Sequence, residues 1–193
     1  MDTNESSLCR PGGFVLTRQM FQFAGIEIPE TGAAETESTD LQCRFASSTS
    51  AAEPAARCDG FLSIAGWQIS GLDKNPDVHE SGWIETGCAE KLPYPDQTAD
   101  IILMECSCSK AAEPTAVLRE VYRVLKPEGW LLMSDMYARK KELFLDGMLG
   151  RLESAKTIHD RLAEAGFVLA KMQDASGTLA EWIGQQIFDG NLE

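Results

Sequence analysis

A nearly continuous apolar strand followed by an amphipathic helix is the feature that most restricts the fold of this chain. The stretch ADIILMECS, residues 99–107, is typical of a strand in a parallel sheet that is covered on both faces. The stretch EPTAVLREVYRVLKPEG, residues 113–129, has Pro114 near its first turn and apolar residues at helical spacing. Because such a sheet needs helices against it, these two segments together predict an α/β domain.

Further strands and helices alternate along the chain after Gly66. Helices are predicted in residues 157–167, with Thr157 as N-cap and Gly166 at the end, and in residues 178–188. Strands are predicted in WQISGLD (67–73), GWIETG (82–87), GWLLMSDMY (129–137) and FVLAKM (167–172). In the last helix, the side chains expected to face inward are Leu179, Trp182, Ile183 and Ile187. We expect one domain over residues 1–193, a three-layer sandwich around a mostly parallel sheet.

The first 57 residues carry a weaker signal. A leading helix is predicted within residues 1–30, with Gly25 and Pro29 as its stop signal. In residues 31–57, 18 of 27 residues are Ala, Ser, Thr or Glu. Such a segment buries too little apolar surface to offset its ordering entropy, so it is interpreted as irregular, a loop or weak helix. The α/β core is then residues 58–193.

The charge and cysteine content exclude several classes of partner. The formal net charge is −13, which repels nucleic acids and anionic membranes, so neither is an expected partner. The chain has no run of 18 apolar residues and its start does not read as a signal peptide, so a cytoplasmic location is expected. The six cysteines form no C-x-x-C pair and are expected to be reduced. No role is assigned to His79 or His159, and no cluster has metal-ligand spacing.

Three motifs, taken together in their order and spacing, resemble the class I S-adenosylmethionine-dependent methyltransferases, in particular the type 11 group. They are the acid-ended strand ISGLD, the segment AEKLPYPD, and the turn VLKPEG into the next strand. The resemblance runs from about Trp67 to Asp135. It implies a Rossmann-like fold, S-adenosylmethionine as cofactor, and methyl transfer to a small-molecule acceptor.

The resemblance implies a cofactor site at the carboxyl ends of the strands, where ligands of open α/β sheets bind. Asp73 would accept hydrogen bonds from the ribose hydroxyls, with Lys74 next to it, or would simply be a solvated strand-end acid. Cys88 and Ala89 would lie against the adenine. Many members have an acid where Cys88 stands, and because a thiol is a poor acceptor, the backbone of Ala89 is left to make that contact.

The residues after the fourth and fifth strands are candidates for the space between methyl donor and acceptor. Glu105 and Cys106 would border the cofactor, while Cys108, Asp135 and Tyr137 would shape the acceptor pocket. The alternative interpretation makes the cysteines small buried thiols and the aspartate a cap or turn residue. A further hypothesis is that Cys106 and Cys108, with or without Cys88, hold a soft acceptor such as a thiol or metalloid. Arsenite methyltransferases use cysteines in this way, but their cysteine motifs are not matched here.

The family's glycine-rich cofactor loop is degenerate in this chain. Placing that loop at residues 40–46 puts Gln42, Arg44 and Ala46 where the family has glycines that let backbone amides approach the cofactor. Three hypotheses follow. The site survives in altered form, or the protein is a non-catalytic binding or scaffold relative that has lost the cofactor, or residues 31–57 are a scrambled reading frame.

Two further expectations concern the reaction class and the end of the chain. A nicotinamide-dependent oxidoreductase ranks last, because it needs the same glycine loop and does not explain AEKLPYPD or VLKPEG. The family usually finishes its sheet with an antiparallel hairpin, whereas here the helical stretch TLAEWIGQQIF is followed only by DGNLE. We therefore expect the last strand to be missing, which leaves a hydrophobic edge that a second copy could cover as a homodimer.

Overall fold

The computed structural model describes residues 13–26, 42–46, 68–74, 84–145 and 150–188. The chain divides into two compact units. The smaller unit combines Met1–Glu27 with Ala170–Glu193, and the larger is Ile28–Leu169. The expectation that residues 1–193 form one domain stays a prediction.

A five-stranded parallel sheet organises the larger unit. Its strands are β1 (Gln42–Ala46), β2 (Gln68–Asp73), β3 (Ile84–Thr86), β4 (Ala99–Glu105) and β5 (Leu125–Ser134). Their order across the sheet is β3-β2-β1-β4-β5, and every neighbouring pair is parallel. Because the strands run the same way, their carboxyl ends share one edge of the sheet, as predicted for an α/β fold.

Strand β1 corrects the expectation that residues 31–57 are only loop or weak helix. Gln42–Ala46 pairs with β2 on one side and with β4 on the other, so it is the middle strand of the sheet. Two neighbours satisfy its backbone hydrogen bonds, and this pairing outweighs the weak strand propensity of its sequence. Gln42, Arg44 and Ala46 are therefore strand residues rather than the glycine positions of a loop. The residues that directly follow β1, from Ser47 onward, lie outside the described residues.

Helix α2 (Pro114–Val124) covers β4 and completes the core. Its apolar residues recur at helical spacing, and they are buried together with the apolar residues of β4. The buried members on these two elements include Val117, Leu118, Val121, Val124, Ile102 and Met104. The helix starts at Pro114, whose fixed φ suits a first turn, as the sequence predicts.

Helix α3 (Ala155–Glu164) follows a small antiparallel pair of strands, β6 (Leu143–Phe144) and β7 (Arg151–Leu152), which the sequence analysis missed. Its N-cap is Ser154, whose hydroxyl accepts a hydrogen bond from the Thr157 amide at 3.1 Å. The expectation of Thr157 as cap is therefore wrong by one turn. Gly166 ends the helix with φ of 103°, as expected for a glycine after a helix.

The smaller unit contains helices α1 (Gly13–Phe23) and α4 (Ser176–Phe188). Gly25 follows α1 with φ of 70°, in agreement with the predicted stop signal. In α4, Ile183 and Ile187 are exposed, so the inward face expected there is wrong for these two residues. The predicted strand FVLAKM is also wrong, because residues 167–172 are neither helix nor strand and Val168 is 92% exposed.

Candidate functional site

Asp73 ends β2 at the carboxyl edge of the sheet, where the sequence places it. Its side chain is buried, with 1% of the residue exposed, so the alternative of a solvated strand-end acid is wrong. The Gly87 amide donates to the Asp73 carbonyl oxygen at 2.8 Å and ties the end of β2 to the end of β3. A carboxylate at this position lies where a ligand of an open α/β sheet is held.

A tight turn beside Asp73 brings together the other residues predicted for the adenosine side. Cys88 and Lys91 form an isolated bridge, and the Lys91 amide donates to the Cys88 carbonyl oxygen at 3.0 Å. Ala89, between them, is fully buried, while Cys88 is exposed. We name residues Cys88–Glu90 the adenosine-side turn. Because Ala89 is fully buried, Cys88 and the half-buried Glu90 are the members of this turn that reach solvent.

Glu90 is a member of this cluster that the sequence analysis did not assign. Its carboxylate accepts a hydrogen bond from the Cys88 thiol and lies 3.6 Å from the Lys74 ammonium. Partial burial works to raise the pKa of Glu90, but the Cys88 thiol, its own backbone amide and Lys74 outweigh it and hold that pKa below its ordinary value. The sequence signal that could have identified Glu90 is its position two residues after Cys88.

The end of β4 places Glu105 and Cys106 at the same edge of the sheet, two strands away from Asp73. The Cys106 amide donates to the Ser134 carbonyl oxygen of β5 at 2.8 Å. Cys106 has φ of 49°, a left-handed conformation that is uncommon for residues other than glycine. This sharp turn ends β4 and directs the chain into a short 3₁₀ helix, Cys108–Lys110.

Cys108 and Asp135 come together, as the proposal of a shared pocket requires. The Asp135 carboxylate accepts hydrogen bonds from the backbone amides of Ser109 at 2.7 Å and Met136 at 2.9 Å. Burial raises the pKa of Asp135, although these amide bonds oppose the shift. Burial, reinforced by the negative charge of Asp135, raises the pKa of the Cys108 thiol to about 12. Cys108 is therefore a neutral thiol at physiological pH.

A small cavity borders Cys108 and Asp135, and its other walls combine apolar side chains with a few charged groups. Arg161 contacts the Glu153 carboxylate there and donates to the Thr115 hydroxyl at 2.8 Å. The cavity leaves about 20 Å³ for the centre of a water-sized molecule, which is room for roughly one water. In this conformation it is too small for a substrate. Tyr137 is half-buried and does not line it.

Cys88 and Cys108 are expected to differ in their reaction with iodoacetamide at pH 8. Cys88 is exposed and should be alkylated first, whereas Cys108 is buried and protonated and should react much more slowly, because the thiolate is the nucleophile. Peptide mass spectrometry over a time course measures both rates. In guanidinium the two rates should converge. Labelling of Cys108 as fast as Cys88 in the native protein would contradict the buried position.

The structure also bears on the histidines, on metal sites and on membrane-spanning helices. His159 is exposed on α3, and His79 lies outside the described residues. Within the described ranges, no three His, Cys, Asp or Glu side chains are grouped so as to hold a metal ion. Among the helices that the structure describes, none is long and apolar enough to cross a membrane.

The described residues suit a nucleoside on one side of the site. A buried carboxylate at the end of β2 can accept from two hydroxyls, and the adenosine-side turn offers backbone groups and the Glu90 carboxylate to a heterocycle with donor groups. The methionine side would depend on the loop after β1. The sequence has no glycine from Ser47 to Asp59.

Comparisons with known proteins point to the same family as the motifs. Residues 55–133 match the family model for a methyltransferase domain. The chain is 32% identical over 107 residues to YcgJ, an uncharacterized methyltransferase of Bacillus subtilis, covering 55% of this chain and 36% of that protein. It is 25% identical over 118 residues to an arsenite methyltransferase of Halobacterium salinarum, covering 53% of this chain and 30% of the relative. The chain thus spans about a third of these relatives.

Solved structures show the same fold. A phosphoethanolamine N-methyltransferase of Haemonchus contortus, in complex with S-adenosyl-L-methionine, aligns with a TM-score of 0.69 at 14% identity, covering 97% of this chain and 45% of that one. The [4+2]-cyclase SpnF aligns with a TM-score of 0.63 at 20% identity, covering 95% and 71%. YcgJ of Bacillus subtilis aligns with a TM-score of 0.56 at 18% identity, covering 86% and 76%.

Fold and motifs agree over the same part of the chain. The larger unit contains the five-stranded sheet and the acid at the end of β2. It also contains residues 55–133, which match the family model. This part of the chain is similar to the class I S-adenosylmethionine-dependent methyltransferases, so the resemblance that the sequence motifs indicate is confirmed.

Proposed function

We propose that this chain binds S-adenosylmethionine at the carboxyl ends of β2 and β3 and transfers its methyl group to a small-molecule acceptor. The observation that carries the proposal is the buried Asp73 carboxylate beside the adenosine-side turn, in a family whose cofactor is S-adenosylmethionine. Asp73 accepts from the ribose hydroxyls. Ala89 and Glu90 provide the acceptors for the adenine amino group that Cys88 itself supplies poorly.

The chain needs little side-chain chemistry for this reaction. When bound, the cofactor supplies a methyl group that its sulfonium already activates. The protein's task is to hold donor and acceptor in line and to keep water out of the reacting space. Glu105 and Cys106, at the end of β4, border that space, while Lys74 offsets the charge of Glu90 on the adenosine side.

The acceptor side of the site is less well formed. Cys108 and Asp135 are proposed to belong to it, but in this conformation their cavity has room for roughly one water. We propose that the acceptor enters near the carboxyl ends of β4 and β5, where Tyr137 follows β5. The soft-acceptor idea gains nothing from Cys108, because its thiol is protonated at physiological pH.

A non-catalytic relative of the same fold is the second candidate. The lack of glycine between Ser47 and Asp59 favours it, since side chains there restrict the approach of backbone amides to a cofactor. The cyclase SpnF has the same fold as the methyltransferases above, so the fold alone does not fix the reaction. A cytoplasmic location and a homodimer across the outer edge of β5, where Trp130 is exposed, are also proposals.

Calorimetric titration with S-adenosylmethionine and S-adenosylhomocysteine separates the two candidates. We expect a dissociation constant in the micromolar range, with product and donor bound at the same site. Transfer of a labelled methyl group to a panel of small thiols, amines and quinols then identifies the acceptor class. A folded protein that binds neither ligand up to millimolar concentration would overturn the proposal in favour of the non-catalytic relative.

A further inference from the structure

Arg123, near the carboxyl end of α2, is the centre of a hydrogen-bond network that the proposed function leaves unexplained. Its guanidinium donates twice to the Glu120 carboxylate, both at 2.8 Å, and once to the Asp96 carboxylate at 2.6 Å. It also donates to the backbone carbonyl oxygens of Tyr94 at 2.9 Å and Leu92 at 3.1 Å. One side chain thus contacts three residues of the segment that precedes β4.

Glu120 completes the contact from the other side. Its carboxylate accepts a hydrogen bond from the Leu92 amide at 2.9 Å, so the ion pair holds both the N–H and the C=O of Leu92. Main-chain groups at the end of α2 extend this contact, because the amides of Gln97 and Thr98 donate to the carbonyl oxygens of Arg123 and Val124, each at 2.9 Å. Residues 92–98, which we name the linker, are therefore fixed to α2 along their length.

The linker joins this network directly to the adenosine-side turn. Leu92 directly follows Lys91, which forms the bridge to Cys88. Holding the backbone of Leu92 therefore also restricts the position of the adenosine-side turn. On the far side, the buried Tyr94 hydroxyl donates to the Gly71 carbonyl oxygen at 3.3 Å, two residues before Asp73 on β2. The linker therefore connects α2 with both elements of the adenosine side.

We infer that the Glu120–Arg123 ion pair is a positioning device for the cofactor site, which holds the linker and, through Leu92, the adenosine-side turn in the geometry that receives adenosine. This inference rests on the proposed function. The hydrogen bonds of Arg123 go to Glu120, Asp96 and the linker backbone and not to Asp73 or the adenosine-side turn, so Arg123 acts through the backbone and is not a catalytic residue. Arginine suits the task because its planar fork can serve carboxylates and carbonyl oxygens at the same time.

The test compares Arg123→Met with Arg119→Met. Both changes keep the apolar stem on α2 and remove a guanidinium. Arg119, however, pairs with the exposed Glu164 at 2.8 Å and, among the described residues, makes no hydrogen bond or ion pair with the linker or the turn. Well below the melting temperature, we expect Arg123→Met to weaken binding of S-adenosylhomocysteine and of 5′-methylthioadenosine by roughly tenfold, about the loss of one charge-assisted hydrogen bond. Arg119→Met should leave both affinities unchanged.

Hydrogen exchange and a conservative variant distinguish positioning from general stability. In Arg123→Met, amides of residues 88–98 should exchange faster while those of β4 stay protected. Arg123→Lys keeps the charge but cannot reach Glu120 and both carbonyl oxygens together, so it should behave like the methionine variant. Wild-type affinity in either Arg123 variant would overturn the inference. If the wild-type chain itself binds neither ligand, the proposed function fails, and the inference fails with it.

Discussion

Replacing Leu118 with alanine is expected to lower the free energy of unfolding by about 2–5 kcal/mol. Leu118 lies on the buried face of α2 with 1% of its surface exposed, and it packs among the core residues that α2 shares with β4. It also lines the small cavity beside Cys108. Truncation would enlarge an existing void, and the cost of such a change rises with the volume that the surrounding side chains cannot refill. Urea unfolding followed by circular dichroism measures the effect.

The same chemical change on the surface provides the control. Leu143 lies on β6 and is 45% exposed, so Leu143→Ala should shift the free energy of unfolding by less than about 1 kcal/mol. Comparable losses in the two variants would mean that α2 does not cover the core as described. A changed denaturant slope would instead point to a difference in the surface exposed on unfolding.

Replacing Asp73 with asparagine is expected to weaken binding of S-adenosylhomocysteine by about 1–3 kcal/mol, or roughly 5- to 150-fold in dissociation constant. The asparagine keeps nearly the same shape in a buried position, but it loses the charge and one of the two acceptor atoms. Both are needed to receive two ribose hydroxyls. Calorimetric titration of the purified variant measures the change.

Asp100→Asn is the matched control for Asp73. Asp100 lies near the amino end of β4, at the opposite edge of the sheet, where its carboxylate pairs with Lys126 at 2.8 Å. Its loss should leave ligand affinity unchanged even if it lowers stability slightly. An unchanged affinity in Asp73→Asn would remove the ribose role from Asp73, and an equal loss in both variants would indicate a general effect of charge on binding.

The sequence predicted those elements whose own apolar pattern shows that they are buried. Strand β4 and helix α2 were predictable because the apolar run and the helical spacing each extend over most of the element. The FVLAKM stretch shows the limit of this argument. It is apolar, yet residues such as Val168 remain exposed, because a strand also needs a neighbour with which to pair.

The site could be predicted in part for the same reason. Asp73 was found because an acid at the end of a buried strand is a local signal with a fixed place in the fold. The positioning role of Arg123 and Glu120 was not predicted, because it depends on hydrogen bonds to carbonyl and amide groups that lie about 30 residues earlier in the chain. Nothing in the helix itself indicates which surface charge will meet a linker.

The central position of β1 has a consequence for how this gene can vary. Without Gln42–Ala46 the sheet would fall into two separate pairs, β3-β2 and β4-β5, since β1 alone joins them in the described sheet. A random reading frame would rarely encode five residues that align with both neighbours. Purifying selection on a folded protein should therefore act on these codons as strongly as on those of β4, although β1 lies within a segment rich in Ala, Ser, Thr and Glu.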